Sequence, residues 1–149
     1  MTERPGTPTV VDIVAPRGDE SIVALLEQAA ERHPDKPFVI FPDHDGYRMS
    51  YGAMLAGAKS VARALKGKGI GPGSRVGVYL PNGPSYVWAW MGTLMMAAVD
   101  VAINADARGA SLAYALTKAR VDAVITDRQG LAGLASAMDV PHQPQLVVL

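Results

Sequence analysis

The chain has 149 residues, of which 49% are hydrophobic and 19% charged, and its 14 Asp and Glu side chains balance its 14 Lys and Arg. A chain of this length is about one domain and buries roughly 68–70% of the surface that it exposes when unfolded. The balanced charge argues against a nucleic-acid partner, because such binders usually carry a basic excess on one face. The absence of cysteine excludes disulfides and zinc-thiolate sites and makes the cytoplasm the expected compartment.

Residues 1–18 predict an extended or irregular lead-in, because three prolines and two glycines interrupt any regular element. This segment has acids and prolines where a secretory signal needs a long apolar stretch, so secretion is not expected. The longest weakly polar run, Tyr86–Val99, has 14 residues, whereas a bilayer requires roughly 20. We therefore predict no membrane span and interpret that run as a buried helix.

The next part of the sequence predicts a helix, a β-hairpin and a second helix. Apolar residues recur at helical spacing from near Asp19 until Pro34. Two short β-type runs, FVIF and YRMSY, follow and are joined by the turn PDHDG. A clear apolar stripe then predicts a helix that is capped by Ser50 and ends at the glycine after Lys68.

The hairpin turn contains Asp43, His44 and Asp45, and both carboxylate and imidazole are metal ligands. Asp and Gly are also the residues that a turn requires, and the further acidic ligands of a calcium loop do not follow. We therefore interpret these residues as a turn and predict no metal site.

After the second helix the pattern changes to short apolar strands that alternate with helices. The predicted strands are 75–80, 99–103, 122–127 and 146–149, and the predicted helices are about 84–98, 109–119 and 129–137. Such strands, joined by helices, are typical of a parallel sheet with both faces covered. The predicted fold class is α/β, with an N-terminal hairpin and helices that lead into a doubly wound, mostly parallel sheet.

The glycine-rich stretch between Gly67 and Ser85 raises the question of a phosphate loop. Its first half, up to Gly73, leads out of a helix and into a strand, whereas a phosphate loop leaves a strand and opens a helix. Its second half has the right direction, but Asn82 and Ser85 are ordinary helix caps and Pro84 suits a first helical turn. We predict a turn for the first half and helix capping for the second, with ligand contact as the alternative there.

Four collinear segments between about residues 20 and 149 carry a family resemblance. They are MSYGAML (49–55), GIGPGSRVGVYLPNGPSYVWAWMG (69–92), LMMAAVDVAIN (94–104) and NADARGASLAYALTKARVDAVITD (104–127). In this order they resemble the start of the adenylate-forming enzymes, which include acyl-CoA synthetases, peptide-synthetase adenylation domains and luciferases. The second segment is similar to that family's LPNSPE stretch, and the fourth resembles fatty-acid and carnitine-type CoA ligases. Ala97, Ala102 and Ser85 replace the glycine, proline and glutamate that are usual in the family, so strand geometry near 97–103 is expected to differ slightly.

The resemblance implies an ATP-dependent acyl-CoA ligase, which converts a carboxylic acid, expected to be a fatty acid, into acyl-CoA with ATP, Mg²⁺ and CoA. The family's phosphate loop, adenylate-binding Thr-Glu, ribose-binding aspartate and catalytic lysine have no counterpart in this sequence. We therefore expect residues 19–149 to be the N-terminal α/β subdomain portion of a longer ligase, truncated before the ATP phosphate loop and without a catalytic residue. The remainder of the enzyme is its expected partner, and the isolated chain is expected to self-associate through exposed strand and helix surfaces.

For site residues the resemblance implies a CoA edge. In acetyl-CoA synthetase relatives the loops after two strands approach the CoA nucleotide, which here corresponds to Asn104, Arg108 and Arg128. Arginine suits a phosphate because its planar fork donates paired hydrogen bonds, and the alternative is that Arg108 caps or pairs locally. Two other functions stay open: a stand-alone nucleotide- or ligand-binding α/β module that uses the loop 80–85, and a non-catalytic interaction fragment.

Overall fold

The computed structural model describes residues 21–137 and 143–149 of the chain. The elements are α1 (Ile22–Arg32), β1 (Pro37–Phe41), β2 (Tyr47–Ser50), α2 (Tyr51–Gly67), β3 (Arg75–Tyr79), α3 (Pro84–Met95), β4 (Val99–Ala102), α4 (Gly109–Ala119), β5 (Ala123–Thr126), α5 (Arg128–Ala135) and β6 (Gln145–Val148). The order and type of the elements predicted from the sequence are confirmed. The lead-in predicted for residues 1–18 lies outside the described residues.

Serine side chains define the starts of the first two helices. The Ser21 hydroxyl accepts a hydrogen bond from the Ala24 N–H at 3.1 Å, so α1 begins after Ser21, slightly later than the predicted start near Asp19. The Ser50 hydroxyl accepts one from the Ala53 N–H at 3.2 Å, which confirms Ser50 as the cap of α2. Both contacts satisfy an N–H group that the first helical turn would otherwise leave without a partner.

The four later strands form one parallel sheet in the order β4-β3-β5-β6, and β1 and β2 pair separately as an antiparallel hairpin. In the sheet, Val76 of β3 lies beside Asp100 of β4 on one side and Ala123 of β5 on the other. The chain thus runs from β3 outward to β4 and then crosses back to β5. Open α/β sheets bind ligands outside the carboxyl ends of the strands, at the point where the strand order reverses. In this sheet that point lies between β3 and β5.

The two faces of this sheet pack against different helices, as the doubly wound prediction requires. On one face Val76, Val78 and Ile125 form a core with residues of α2 and α3. On the other face Tyr79 and Val124 pack with residues of α4 and with Ala137 after α5. A third cluster joins α1, the hairpin, α2 and α3; its fully buried members include Met49, Met54 and Met91.

The connection from α3 to β4 contains an alanine in the left-handed backbone region. α3 ends at Met95, before the predicted end at residue 98, and Ala97 has a φ of 51°. The Ala97 carbonyl accepts a hydrogen bond from the Gly73 N–H at 3.0 Å, which ties this turn to the start of β3. A left-handed conformation costs a non-glycine residue about 1–2 kcal/mol, whereas glycine adopts it without strain.

We expect Ala97→Gly to raise the free energy of unfolding by about 0.5–1 kcal/mol, because it relieves this strain at an exposed position. Urea denaturation of the chain measures the effect. The matched control is Ala56→Gly, at an exposed position within α2, which should instead lower stability by about 1 kcal/mol. Equal losses in both variants would contradict the left-handed conformation of Ala97.

Candidate functional site

Two clefts meet at the carboxyl ends of the strands. The first, which we call the switch-point cleft, has a volume of about 60 Å³ and is lined by Tyr79, Pro81, Ala105, Asp106, Arg108, Asp127, Gln129 and Gly130. The second, the adjoining cleft, has about 370 Å³, and its lining includes Leu80, Asn82, Tyr86, Ile103 and Asn104. Both clefts share Pro81, Ala105 and Asp106, so they form one continuous depression beside the loops that follow β3 and β4.

Tyr79, the last residue of β3, forms the floor of the switch-point cleft and is only 1% exposed. Its hydroxyl donates a hydrogen bond to the Ala107 carbonyl at 2.8 Å, and its own carbonyl accepts one from the Thr126 hydroxyl at 3.0 Å. Burial raises the pKa of the Tyr79 phenol; the Arg108 charge opposes this rise, and the carboxylates of Asp106 and Asp127 add to it. The hydroxyl is therefore a neutral, fixed hydrogen-bonding group at ordinary pH.

Arg108, the N-cap residue of α4, lies across this hydroxyl. The two hydrogens of its Nη1 are shared among three acceptors: the Tyr79 hydroxyl, the Ala105 carbonyl at 2.6 Å and the Ala107 carbonyl at 2.8 Å. Its guanidinium carbon is 5.8 Å from the centre of the Tyr79 ring, within the range of a cation–π contact. The structure thus shows local pairing for Nη1, while Nη2 and Nε make no hydrogen bond to the part of the chain that is described.

The other two candidate residues lie in different surroundings. Asn104 follows β4 and lines the adjoining cleft, where its side-chain oxygen accepts a hydrogen bond from the Asp106 N–H at 2.9 Å. Arg128 is the exposed first residue of α5, lines neither cleft and has no hydrogen bond or ion pair to residues 21–137 or 143–149. The structure therefore brings Asn104 and Arg108 onto one loop and leaves Arg128 outside both clefts.

The glycine-rich stretch contains the predicted turn, but the predicted caps are wrong. Gly69 and Gly73 have φ values of 75° and 80°, which confirms a left-handed turn between α2 and β3. Pro84 begins α3 as expected, yet neither Asn82 nor Ser85 caps the helix. The N-cap residue is Gly83, and no side chain accepts a hydrogen bond from the first turn.

Sequence reasoning did not find the contact between Tyr79 and α5. A Cβ on Gly133 would overlap the Tyr79 hydroxyl, and a Cβ on Gly130 would lie 3.2 Å from the Tyr79 ring and overlap the Thr126 hydroxyl. Two glycines three residues apart therefore let α5 lie directly on this ring. The signal available in the sequence was the spacing of Gly130 and Gly133 on one face of a predicted helix. Because glycine lowers helix stability, two glycines on one face of a helix indicate a close packing contact there.

The described residues contain neither a metal-binding cluster nor a membrane-spanning helix. Within residues 21–137 and 143–149 no group of three His, Asp or Glu side chains could hold a metal ion. Asp43, His44 and Asp45 lie in the turn between β1 and β2, where the sequence predicts them. None of the described helices is both long and apolar enough to cross a bilayer.

The chain is an α/β subdomain with a parallel sheet covered on both faces and a cleft where the strand order reverses, which is the place where open α/β sheets in general bind ligands. Residues 26–149 match the family described as AMP-binding enzyme, and the chain belongs to this family. The resemblance to the start of the adenylate-forming enzymes is thereby confirmed.

Individual relatives agree with this assignment. The chain is 32% identical over 127 residues to sulfoacetate–CoA ligase of Cupriavidus necator, covering 82% of this chain and 25% of that protein. It is 33% identical over 104 residues to a medium/long-chain-fatty-acid–CoA ligase, FadD6 of Mycobacterium tuberculosis, covering 70% and 17%. The solved structure of a benzoate CoA ligase from Burkholderia xenovorans matches with a TM-score of 0.74 at 25% identity, covering 85% of this chain and 25% of that chain. The chain thus spans a quarter or less of the length of these relatives.

Proposed function

We propose that the chain is part of an ATP-dependent acyl-CoA ligase that joins a carboxylic acid to CoA and releases AMP and pyrophosphate. Support comes from its membership of the AMP-binding enzyme family and from relatives that are named as CoA ligases. For the acid we propose a fatty acid, since the segment 104–127 resembles fatty-acid CoA ligases and FadD6 is one such relative. For the compartment we propose the cytoplasm, on the absence of cysteine.

Within that enzyme we propose that this chain supplies an edge for the CoA nucleotide. The observation that carries this role is the position of Arg108 at the switch-point cleft, with Nη2 and Nε left for a ligand. Arginine is suited to phosphate because its planar fork donates two parallel hydrogen bonds. Asn104 offers an amide in the adjoining cleft, and Arg128 adds positive charge at the start of α5.

The size and charge of the clefts limit what they hold. A volume of about 60 Å³ fits a phosphate group, whereas small-molecule sites usually have about 300–1,000 Å³, the range of the adjoining cleft. Asp106 and Asp127 line the switch-point cleft beside Arg108 and repel an anion, so Arg108 is needed to offset them. We propose that ATP and Mg²⁺ are held by residues outside this chain, and that the chain contributes no catalytic residue.

Titration of CoA, 3′-dephospho-CoA and ATP into the chain, followed by NMR, tests this proposal. We expect CoA to shift the amides of the loop 104–108, and Arg108→Ala to weaken CoA binding by about tenfold through loss of a charge-assisted hydrogen bond. Arg63→Ala, which removes an exposed arginine from α2, is the matched control and should leave the affinity unchanged.

The same titration separates the alternative functions. Binding of ATP without CoA would favour a stand-alone nucleotide-binding module. Binding of neither ligand to a folded chain would contradict the CoA edge and favour a non-catalytic interaction fragment. Equal CoA affinities of the wild-type and Arg108→Ala chains would show that Arg108 has only its local role.

A further inference from the structure

The ring of His44 lies against the loop Pro81–Pro84, which we call the 81–84 loop. His44 Nε2 is 3.4 Å from the Asn82 carbonyl oxygen. Gly83 is buried, and a Cβ on it would lie 2.8 Å from His44 Nε2 and 3.1 Å from His44 Cε1. Real Cβ atoms essentially never approach a neighbour within 3.0 Å, so the His44 ring occupies the space that a side chain at position 83 would need.

The backbone conformation does not require glycine at this position, whereas a side chain here would meet the His44 ring. Gly83 has φ 163° and ψ −172°, an extended conformation that any residue adopts.

The hairpin turn holds the His44 ring in place. Asp45 and Gly46 both have positive φ values, 53° and 68°, which turn the chain sharply after His44. The His44 N–H donates to the Phe41 carbonyl at 3.1 Å, and the Tyr47 N–H donates to the His44 carbonyl at 2.9 Å. The Phe41 ring packs edge-to-face on His44 with 5.9 Å between ring centres. The turn hydrogen bonds thus fix the backbone at His44, and the Phe41 ring supports the otherwise exposed His44 ring from one side.

The 81–84 loop has few internal contacts to fix it. No side chain caps the start of α3, and the Val87 N–H reaches the Gly83 carbonyl at 3.3 Å. Yet this loop forms one wall of both clefts, since Pro81 lines both of them and Asn82 lines the adjoining cleft. Because the Asn82 carbonyl can only accept, a hydrogen bond to it requires His44 Nε2 to carry the proton.

We propose that His44 is a positioning residue that holds the 81–84 loop from outside and so sets the wall of the ligand clefts. The ring acts as a stop beside Gly83 and as a hydrogen-bond donor to Asn82. The effect on CoA rests on the function proposed above, whereas the effect on the loop does not.

Amide hydrogen exchange in the chain tests the loop. We expect His44→Ala to speed exchange of the Val87 amide at least fivefold, and His44→Gln to restore most of the protection because its amide N–H can reach the Asn82 carbonyl. Gly83→Ala should speed exchange similarly while His44 is present and add little in the double variant with His44→Ala, because the clashing ring is then gone. Asp43→Ala, an exposed change in the same turn, is the control for damage to the hairpin.

CoA titration of the same variants tests the consequence for the clefts. We expect His44→Ala to weaken CoA binding about threefold or more, and His44→Gln to recover it. Unchanged Val87 exchange in His44→Ala, or a harmless Gly83→Ala beside His44, would overturn the positioning role. If the wild-type chain does not bind CoA, the proposed ligand is wrong, and the exchange data still decide the role of His44.

Discussion

Gly133→Ala is expected to lower the free energy of unfolding by about 2–3 kcal/mol, the cost of overpacking a filled core. The new Cβ would overlap the Tyr79 hydroxyl, which is buried and bonded to the Ala107 carbonyl. α5 cannot relieve this overlap by sliding along the Tyr79 ring, because Gly130 also lies against that ring. The variant should also disturb Arg108, whose Nη1 donates to the same hydroxyl. Chemical denaturation of the chain measures the loss.

The matched control is Gly67→Ala, in the last turn of α2, where a Cβ would meet nothing within 4 Å. This change should be neutral or should add up to about 1 kcal/mol, as alanine favours helix over glycine. Adding Tyr79→Phe to Gly133→Ala removes the overlapped atom and should recover part of the lost stability. If Gly133→Ala and Gly67→Ala unfold at the same denaturant concentration, α5 does not lie on Tyr79.

The sequence predicted the elements well because their signals are local. The strand Arg75–Tyr79 is apolar after its first residue and follows a glycine turn, and the α2 stripe begins at a serine that does cap the helix. Parallel strand direction was predicted from strands that are joined by helices. The strand order β4-β3-β5-β6, and with it the switch point where the clefts lie, is known only from the structure.

The details of the site depend on contacts between distant parts of the chain, which leave no local period. Arg108 and Tyr79 are 29 positions apart, and His44 and Asn82 are 38 apart. Asn82 and Ser85 were predicted as caps because of their residue types, but Gly83 takes the N-cap position and the Asn82 carbonyl faces His44. The family resemblance identified Arg108 as a candidate, but it carried no information on Tyr79 beneath it.

Asp100→Asn is expected to raise the free energy of unfolding by about 1–2 kcal/mol at pH 7. Asp100 lies in β4 beside the core residue Val76, and its Oδ1 is buried without a hydrogen-bond partner among the described residues. Asparagine leaves a neutral polar group at the same place, so the expected gain is only the extra cost of burying a charge, which we take as about 1–2 kcal/mol because Asp100 is only partly buried. Burial raises the pKa of this carboxyl above its ordinary value of 3.8.

The raised pKa fixes the direction of the pH dependence. Between pH 3.8 and the raised pKa the folded chain binds more protons at Asp100 than the unfolded chain, so stability falls as pH rises through this window. The gain from Asp100→Asn should therefore be largest above the window and vanish well below pH 3.8.

Burial also raises the pKa of the Tyr86 phenol, and the Asp100 charge adds to that rise, so the variant should lower the Tyr86 pKa in an ultraviolet titration. Asp35→Asn, which removes an exposed carboxyl, controls for the change in net charge. A gain that stays constant from pH 3 to pH 8 would show that the charge on Asp100 carries no cost in the folded chain.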